Sequence, residues 1–268
     1  MPSWGAKLEL GYALAGLVVG FIVGMTGIGG GALMTPILIL GFGIPPIIAV
    51  STDLLYAAIT KCGGIFNYAR RQLVHYKIVG LLLAGSLPSS LMTLAVLSGV
   101  EAADVIEQLM NLTLGVSLVL TSVAVFMRQS VRRWAQQLSE TQLGGRLKQV
   151  RPAATLVAGG ILGVLVTLSS VGAGALGTAV LILLYPRLSM PAIVGTDLLH
   201  AVLLTAVAGA GHYQMGSVDT ALLLSLITGS LPGVFAGSYL GSRLSPRVMQ
   251  PLMGSLLMAI GLRFVLAS

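Results

Sequence analysis

Two aspartates, Asp53 and Asp197, sit in long apolar stretches 144 positions apart, each preceded by a threonine (Thr52, Thr196) and followed by two leucines. An acid so placed has two uses. It can carry a proton or help coordinate a cation in a low-dielectric site, or it can cap the start of its own helix, where the dipole favours negative charge. Pro45-Pro46 and Pro191 lie some turns earlier, so the caps fall equally well to the neighbours of those prolines. His200, three residues after Asp197, is either a proton relay or a hydrogen-bonded packing residue. Asp53, Asp197, Thr52, Thr196 and His200 are therefore the candidates for coupling or gating. Lys61 is the one basic residue deep in an apolar run, unless Arg263 is drawn inward from the last one. It lies about two turns and roughly 80° around the helix from Asp53. It suits either a substrate counter-charge or a side chain that snorkels to the membrane surface.

The second set of residues is glycine-rich and occurs twice. Residues 26–40 read TGIGGGALMTPILIL, and residues 169–183 read SSVGAGALGTAVLIL, 143 positions later. Glycine tolerates positive φ and lets a ligand approach the main chain. A helix that starts after such a break points free N–H groups and a positive dipole end at whatever lies before it, which is an anion site. Thr26, Gly27, Gly29, Gly30 and Gly31, with Ser169, Ser170, Gly172, Gly174 and Lys61, are the substrate-binding candidates. The plainer reading is that these glycines only permit close helix packing. Two breaks in equivalent places, each ahead of a short apolar helix, favour the site.

These elements belong to a duplication. STDLL from Ser51 meets GTDLL from Gly195, and GSLP recurs from Gly85 and Gly229. The position of Lys61 is Thr205 in the second copy. With 56% hydrophobic and 9% charged residues and a mean hydropathy of +0.96, the chain has too few charges to cover a soluble surface, which takes about a quarter of the residues. Apolar runs near 10–42, 45–66, 78–98 and 109–127 recur near 153–184, 191–210, 219–241 and 248–266. An all-α integral membrane protein of two homologous helical repeats follows, with repeats at 1–127 and 152–268 and a basic cytoplasmic linker at 128–151. The first apolar segment reads as mature protein rather than as a secretory signal, because Leu156 to Val166 fills the same place in mid-chain.

The first run of each repeat is too long for one crossing of about 30 Å and must break at its glycines. If it folds back as a hairpin, the crossings per half become odd and the halves are inverted. Arg187, Arg243 and Arg247 then share the cytoplasm with Arg70, Arg71, Lys77 and the linker, as the positive-inside pattern asks. Inversion is the preferred arrangement. The linker has the pattern of a surface-lying amphipathic helix around Val131, Trp134, Ala135 and Leu138, interrupted at Gly144-Gly145, and reads first as a solvated connector that also fixes orientation. Nothing supplies a catalytic Ser/His/Asp set or clustered metal ligands, so neither an enzyme, a cofactor nor a metal is expected. The basic charge lacks the aromatic interleaving of a nucleic-acid surface. Cys62 reads as a packing residue, and His75 and His212 as loop residues.

The glycine-rich break, TDLL in the following helix, and the recurrence of both behind a basic linker resemble the TauE/SafE family of sulfite and organosulfur anion exporters, over nearly the whole chain. The resemblance implies a multi-pass transporter of the cell (inner) membrane that exports a small anion, most simply sulfite or an organosulfonate, by alternating access between the two breaks. A passive anion channel, or a proton-coupled carrier of another small solute, is the alternative. Its partners would be the anion, the lipid bilayer, in the coupled case protons, and a second copy of the chain if it forms a homo-oligomer. One departure stands out: His212-Tyr213-Gln214-Met215-Gly216-Ser217-Val218-Asp219 lacks the arginine that the family pattern places two residues after the histidine.

Overall fold

The computed structural model describes residues 5–26, 31–100, 102–139, 142–241 and 246–267, and all regular structure among them is helical. Each half supplies five helices. The first gives α1 (Gly5–Thr26), α2 (Gly31–Phe42), α3 (Pro46–Arg70), α4 (Tyr76–Gly99) and α5 (Ala103–Ser139); the second gives α6 (Gln142–Ser169), α7 (Ala175–Leu184), α8 (Met190–Gln214), α9 (Thr220–Gly241) and α10 (Pro246–Ala267). Among the described residues, the stretches Tyr76–Gly99, Ala103–Leu138, Gln149–Ser169, Met190–Gln214 and Thr220–Leu240 are long and apolar enough to cross a membrane. Large apolar side chains such as Leu14, Phe66, Leu91, Phe235 and Leu266 cover the outside. That surface suits a protein whose solvent is lipid, so hydrophobicity alone cannot drive its helices together.

Backbone approach does that work instead. Gly16, Gly20 and Gly24 of α1 each lie against the α9 main chain at Leu226, Ser230 and Val234, while Gly229, Gly233 and Gly237 of α9 lie against Ala13, Leu17 and Phe21. The four-residue spacing sets all six glycines along one seam. The second such pair is α4 with α6: Gly159 and Gly163 meet Leu82 and Ser86, and Gly85 meets Leu156. Both pairs run parallel and both cross between halves, the first helix of each half lying on the fourth of the other. Two pairs of equivalent helices, α3 with α8 and α5 with α10, pair with each other in opposite directions. Along α3 and α8, Leu55 meets Gly209 and Gly64 meets Leu198; along α5 and α10, Gly115 meets Phe264 and Phe126 meets Gly254.

Apolar clusters fill the spaces between these pairs. One, with Met34, Leu38, Leu118 and Leu226, joins α2, α5 and α9; another, with Val50, Leu54, Val166 and Leu204, joins α3, α6 and α8; a third, with Leu82, Leu162, Leu181 and Ile193, lies where α7 meets α4, α6 and α8. The linker differs from its expected form. It is no separate surface helix: α5 runs on through it to Ser139, and α6 already includes Gly144-Gly145, which do not interrupt it. Val131 packs on the third cluster and Ala135 is buried, whereas Trp134 faces outward.

The α1–α9 seam yields a stability test. Gly20→Ala and Gly233→Ala would put a methyl 2.6 Å and 2.3 Å from a facing backbone oxygen, which has nowhere to go. Each should lower the thermal midpoint in detergent, at a cost of about 1–3 kcal/mol, while Gly80→Ala, with nothing within 4 Å, should leave it unchanged. Equal midpoints for the three variants would show that this close approach does not hold α1 to α9.

Candidate functional site

Between α6 and α7 the chain leaves the helix for five residues. Ser170, Gly172 and Gly174 take φ of 58°, 108° and 141°, values that strain any side chain and that glycine adopts freely. The turn closes through Ser170 N–H to the Val166 carbonyl (2.8 Å), Gly177 N–H to Gly172 (3.3 Å) and Thr178 N–H to Gly174 (3.0 Å). The Ser169 hydroxyl is consumed locally: it donates to the Leu165 carbonyl at 2.6 Å and accepts from Val171 N–H at 3.2 Å. It is therefore less available to a ligand than its position in the sequence implied. On the other side, α1 ends at Thr26 and α2 begins at Gly31; Gly27, Gly29, Gly30 and the Thr26 side chain lie outside the described residues.

The aspartates are not caps. Asp53 is the eighth residue of α3 and Asp197 the eighth of α8, about two turns in, and the α8 cap is Ser189, which accepts from Ala192 N–H. Each carboxylate instead faces the short helix of its own half. Thr35 of α2 donates to Asp53 Oδ2 at 2.5 Å, and Thr178 of α7 donates to Asp197 Oδ2 at 2.8 Å. Both side chains are buried, and the second oxygen of each has no partner among the described residues. Gly177 makes the second contact possible, since a Cβ there would collide with Asp197 Oδ1.

Lys61 joins the halves. Its side chain does not snorkel: 8% exposed, it crosses from α3 to the second break and donates from Nζ to the Ala173 carbonyl at 2.7 Å. It lies within electrostatic reach of Asp197 and of Asp53. Ser170 approaches the Asp53 carboxyl without completing a well-formed hydrogen bond. The result is a cavity of about 90 Å³ bounded by Lys61, Ala173, Gly174, Thr178, Asp197 and Arg128, with Gln250 and small apolar side chains completing the wall. Two cations, one carboxylate and the N-terminus of α7 thus converge on a space of small-molecule size.

Other candidates go elsewhere. The Thr52 hydroxyl accepts the Asp219 N–H at 3.2 Å and the Thr196 hydroxyl accepts the His75 N–H at 3.0 Å. Each thereby ties an aspartate-bearing helix to a loop of the opposite half. His200 is fully buried and its Nε2 meets Ser86 Oγ at 3.0 Å. His212 is not a loop residue. It closes α8, fully buried, with Nε2 donating to the Thr167 carbonyl at 3.0 Å. Cys62 packs on no core and is exposed, and Arg263 points outward as well.

Sequence reasoning missed Thr35, Thr178, Arg128 and Gln250. The two threonines had a signal, since they hold the same place in the two copies of the glycine-rich segment. Arg128 was absorbed into the linker's basic run, and Gln250 carried no signal.

Comparison with known proteins points to membrane transport. The family model described as "Sulfite exporter TauE/SafE" matches residues 12–264. The "Probable membrane transporter protein YjnA" of Bacillus subtilis is 37% identical over 259 residues, covering 96% of this chain and 100% of that protein. The "Probable membrane transporter protein YdhB" of the same organism is 26% identical over 218 residues, covering 81% of this chain and 84% of that protein. No solved structure matches. With that match over almost its full length, the chain belongs to the sulfite exporter TauE/SafE family and is a multi-pass membrane transport protein.

Proposed function

We propose that this protein exports a small oxyanion, sulfite or an organosulfonate, through the cell (inner) membrane by alternating access at the cavity beside the second break. The observation that carries the reading is the convergence of Lys61, Arg128 and the α7 N-terminus on one cavity. Lys61 and Arg128 present positive charge and N–H donors to that space, and an oxyanion is the species whose charge and acceptors they match. Sulfite is favoured because it is the substrate in the family's name. The Asp197 oxygen without a partner gives the site a place for a substrate donor or a proton, which is the coupling role assigned to both aspartates.

The same reading makes the halves inverted, with the linker in the cytoplasm. Equivalent helices that pair with themselves must run parallel if the halves share an orientation and antiparallel if they are inverted. The antiparallel registers of α3 with α8 and of α5 with α10 support inversion, and inversion also gathers Arg187 with the basic linker. Lys61, rooted in one half and bonded to the other, places the substrate where the halves move against each other. A channel would need no such moving contact.

Three outcomes follow. A cysteine at Ser217, with Cys62 replaced by serine, should react with an impermeant maleimide from outside the cell only; reaction from the cytoplasm alone rules out inversion. Lys61→Met should weaken sulfite binding to the purified protein by about 10- to 100-fold, the worth of one charge-assisted contact, and Arg128→Gln by about tenfold. Unchanged affinity in both would place the substrate elsewhere. In proteoliposomes with equal pH on both sides, sulfite efflux should follow an imposed membrane potential, since one outward negative charge gains about 2.3 kcal/mol per 100 mV. Asp53→Asn and Asp197→Asn should slow that efflux and retain its voltage dependence. A rate that ignores voltage and follows a proton gradient would make the aspartates proton couplers.

A further inference from the structure

The two halves repeat one another, yet their equivalent sites are in different states. In the second half Thr178, Val194, Asp197, Leu198 and Ala201 line the cavity. Their counterparts 143 or 144 positions earlier are Thr35, Val50, Asp53, Leu54 and Ala57, and all five are 0% exposed. The threonine–aspartate hydrogen bond is present in both. Val194 and Leu198 are half-buried at the cavity, so these two positions of the construction, related by the repeat, are packed shut in one half and open onto a cavity in the other, while Asp197 and Ala201 are nearly as buried as their counterparts.

We infer that Thr35, Val50, Asp53, Leu54 and Ala57, with Thr205 in the place of Lys61, form a second substrate cavity, closed in this structure, from which the anion is released to the outside. The inference rests on the alternating-access reading above and extends it. The open cavity has Arg128 and Gln250 in its wall, and Arg128 begins the basic linker, so this cavity belongs to the cytoplasmic side. If the halves are inverted, exchanging their conformations closes it and opens its counterpart on the opposite side. Nothing but an exchange between two packings the sequence already holds is required.

The two cavities differ in composition, in a direction that suits export. Thr205 replaces Lys61, and its hydroxyl is spent on the Ala201 and Val202 carbonyls at 2.8 and 3.3 Å. Gln250 has an acidic counterpart: Val105, Leu109 and Met110 recur as Val248, Leu252 and Met253, and that register sets Glu107 opposite Gln250. A lysine lost and a carboxylate gained both weaken an oxyanion's hold. The outward cavity is accordingly a low-affinity release site, and the inward one a capture site.

The test uses the full-length protein with Cys62 replaced by serine and single cysteines at Val50, Leu54, Val194 or Leu198, each close in size to the residue it replaces. In sealed vesicles of known orientation, an impermeant maleimide should modify Val50→Cys and Leu54→Cys from the outside, more slowly than Ser217→Cys, and Val194→Cys and Leu198→Cys from the cytoplasmic side. If Val50→Cys and Leu54→Cys stay unmodified from outside in vesicles that still export sulfite, the second cavity does not exist. In the otherwise unaltered protein, half-saturation by sulfite should be at least about tenfold weaker from the external side, the worth of one charge-assisted contact. Thr205→Lys should narrow that gap and slow export. Equal affinities on the two sides overturn the release site. Failure of sulfite to move in either direction, with the labelling pattern intact, removes sulfite as substrate and leaves the second cavity standing.

Discussion

A helix can be broken inside a membrane only if the groups it frees find partners in the protein. The hydrogen bond from Lys61 Nζ to the Ala173 carbonyl meets that demand at the second break, and much of the site depends on it. A lysine buried in hydrocarbon is itself expensive. Here each problem answers the other: the freed carbonyl satisfies an ammonium, and the ammonium satisfies a carbonyl. Because the donor belongs to one half and the acceptor to the other, the same bond sets the distance between the halves at the depth of the cavity in this state. The two aspartates within its electrostatic reach keep the buried charge from standing alone.

Around that centre, the repeat supplies symmetry in scaffolding and asymmetry in chemistry. Thr52 holds the Asp219 N–H and Thr196 holds the His75 N–H, so each aspartate-bearing helix is clasped by the other half in the same way. The threonine on the short helix in front of each aspartate is also matched. Lys61 is not, and its counterpart Thr205 bonds within its own helix. A duplicated scaffold allows the two halves to interchange shapes. A single unmatched lysine makes the two shapes inequivalent to an anion.

Much of this was legible in the sequence because the bilayer leaves few options. Apolar run lengths pointed to the helices, the 143–144 spacing exposed the repeat, and a lone lysine in an apolar run singled out the side chain that reaches the second break. What the sequence obscured were features set by packing between distant segments. Asp53 and Asp197, each early in an apolar helix behind a threonine, read as coupling acids or as caps, and the earlier prolines offered other caps; the cap of α8 is Ser189, and the aspartate that does receive a helix-start N–H, from Leu222, is Asp219. His212 looked like a loop residue beside Gly216, but helix α8 continues past it and buries it against Thr167. Arg128 was hidden among the linker's arginines because α5 runs on without interruption into the linker. Nothing local to any of these residues records which helix of the other half will face it.

Charge counting links the site's geometry to its energetics. With Lys61, Arg128, Asp53 and Asp197 all ionised, the four charges cancel, which is the cheapest state for a cluster removed from water. An arriving monoanion then leaves the site at one net negative charge. The α7 N-terminus offsets about half of it. A proton on the free oxygen of either aspartate would offset all of it, and a dianion would need both. Whether transport moves charge therefore turns on where such a proton goes. If it stays on the aspartate while the empty site returns, the anion crosses alone and the membrane potential drives it outward. If it departs with the anion, the step is neutral and the potential does no work, even though the same residues hold the same substrate.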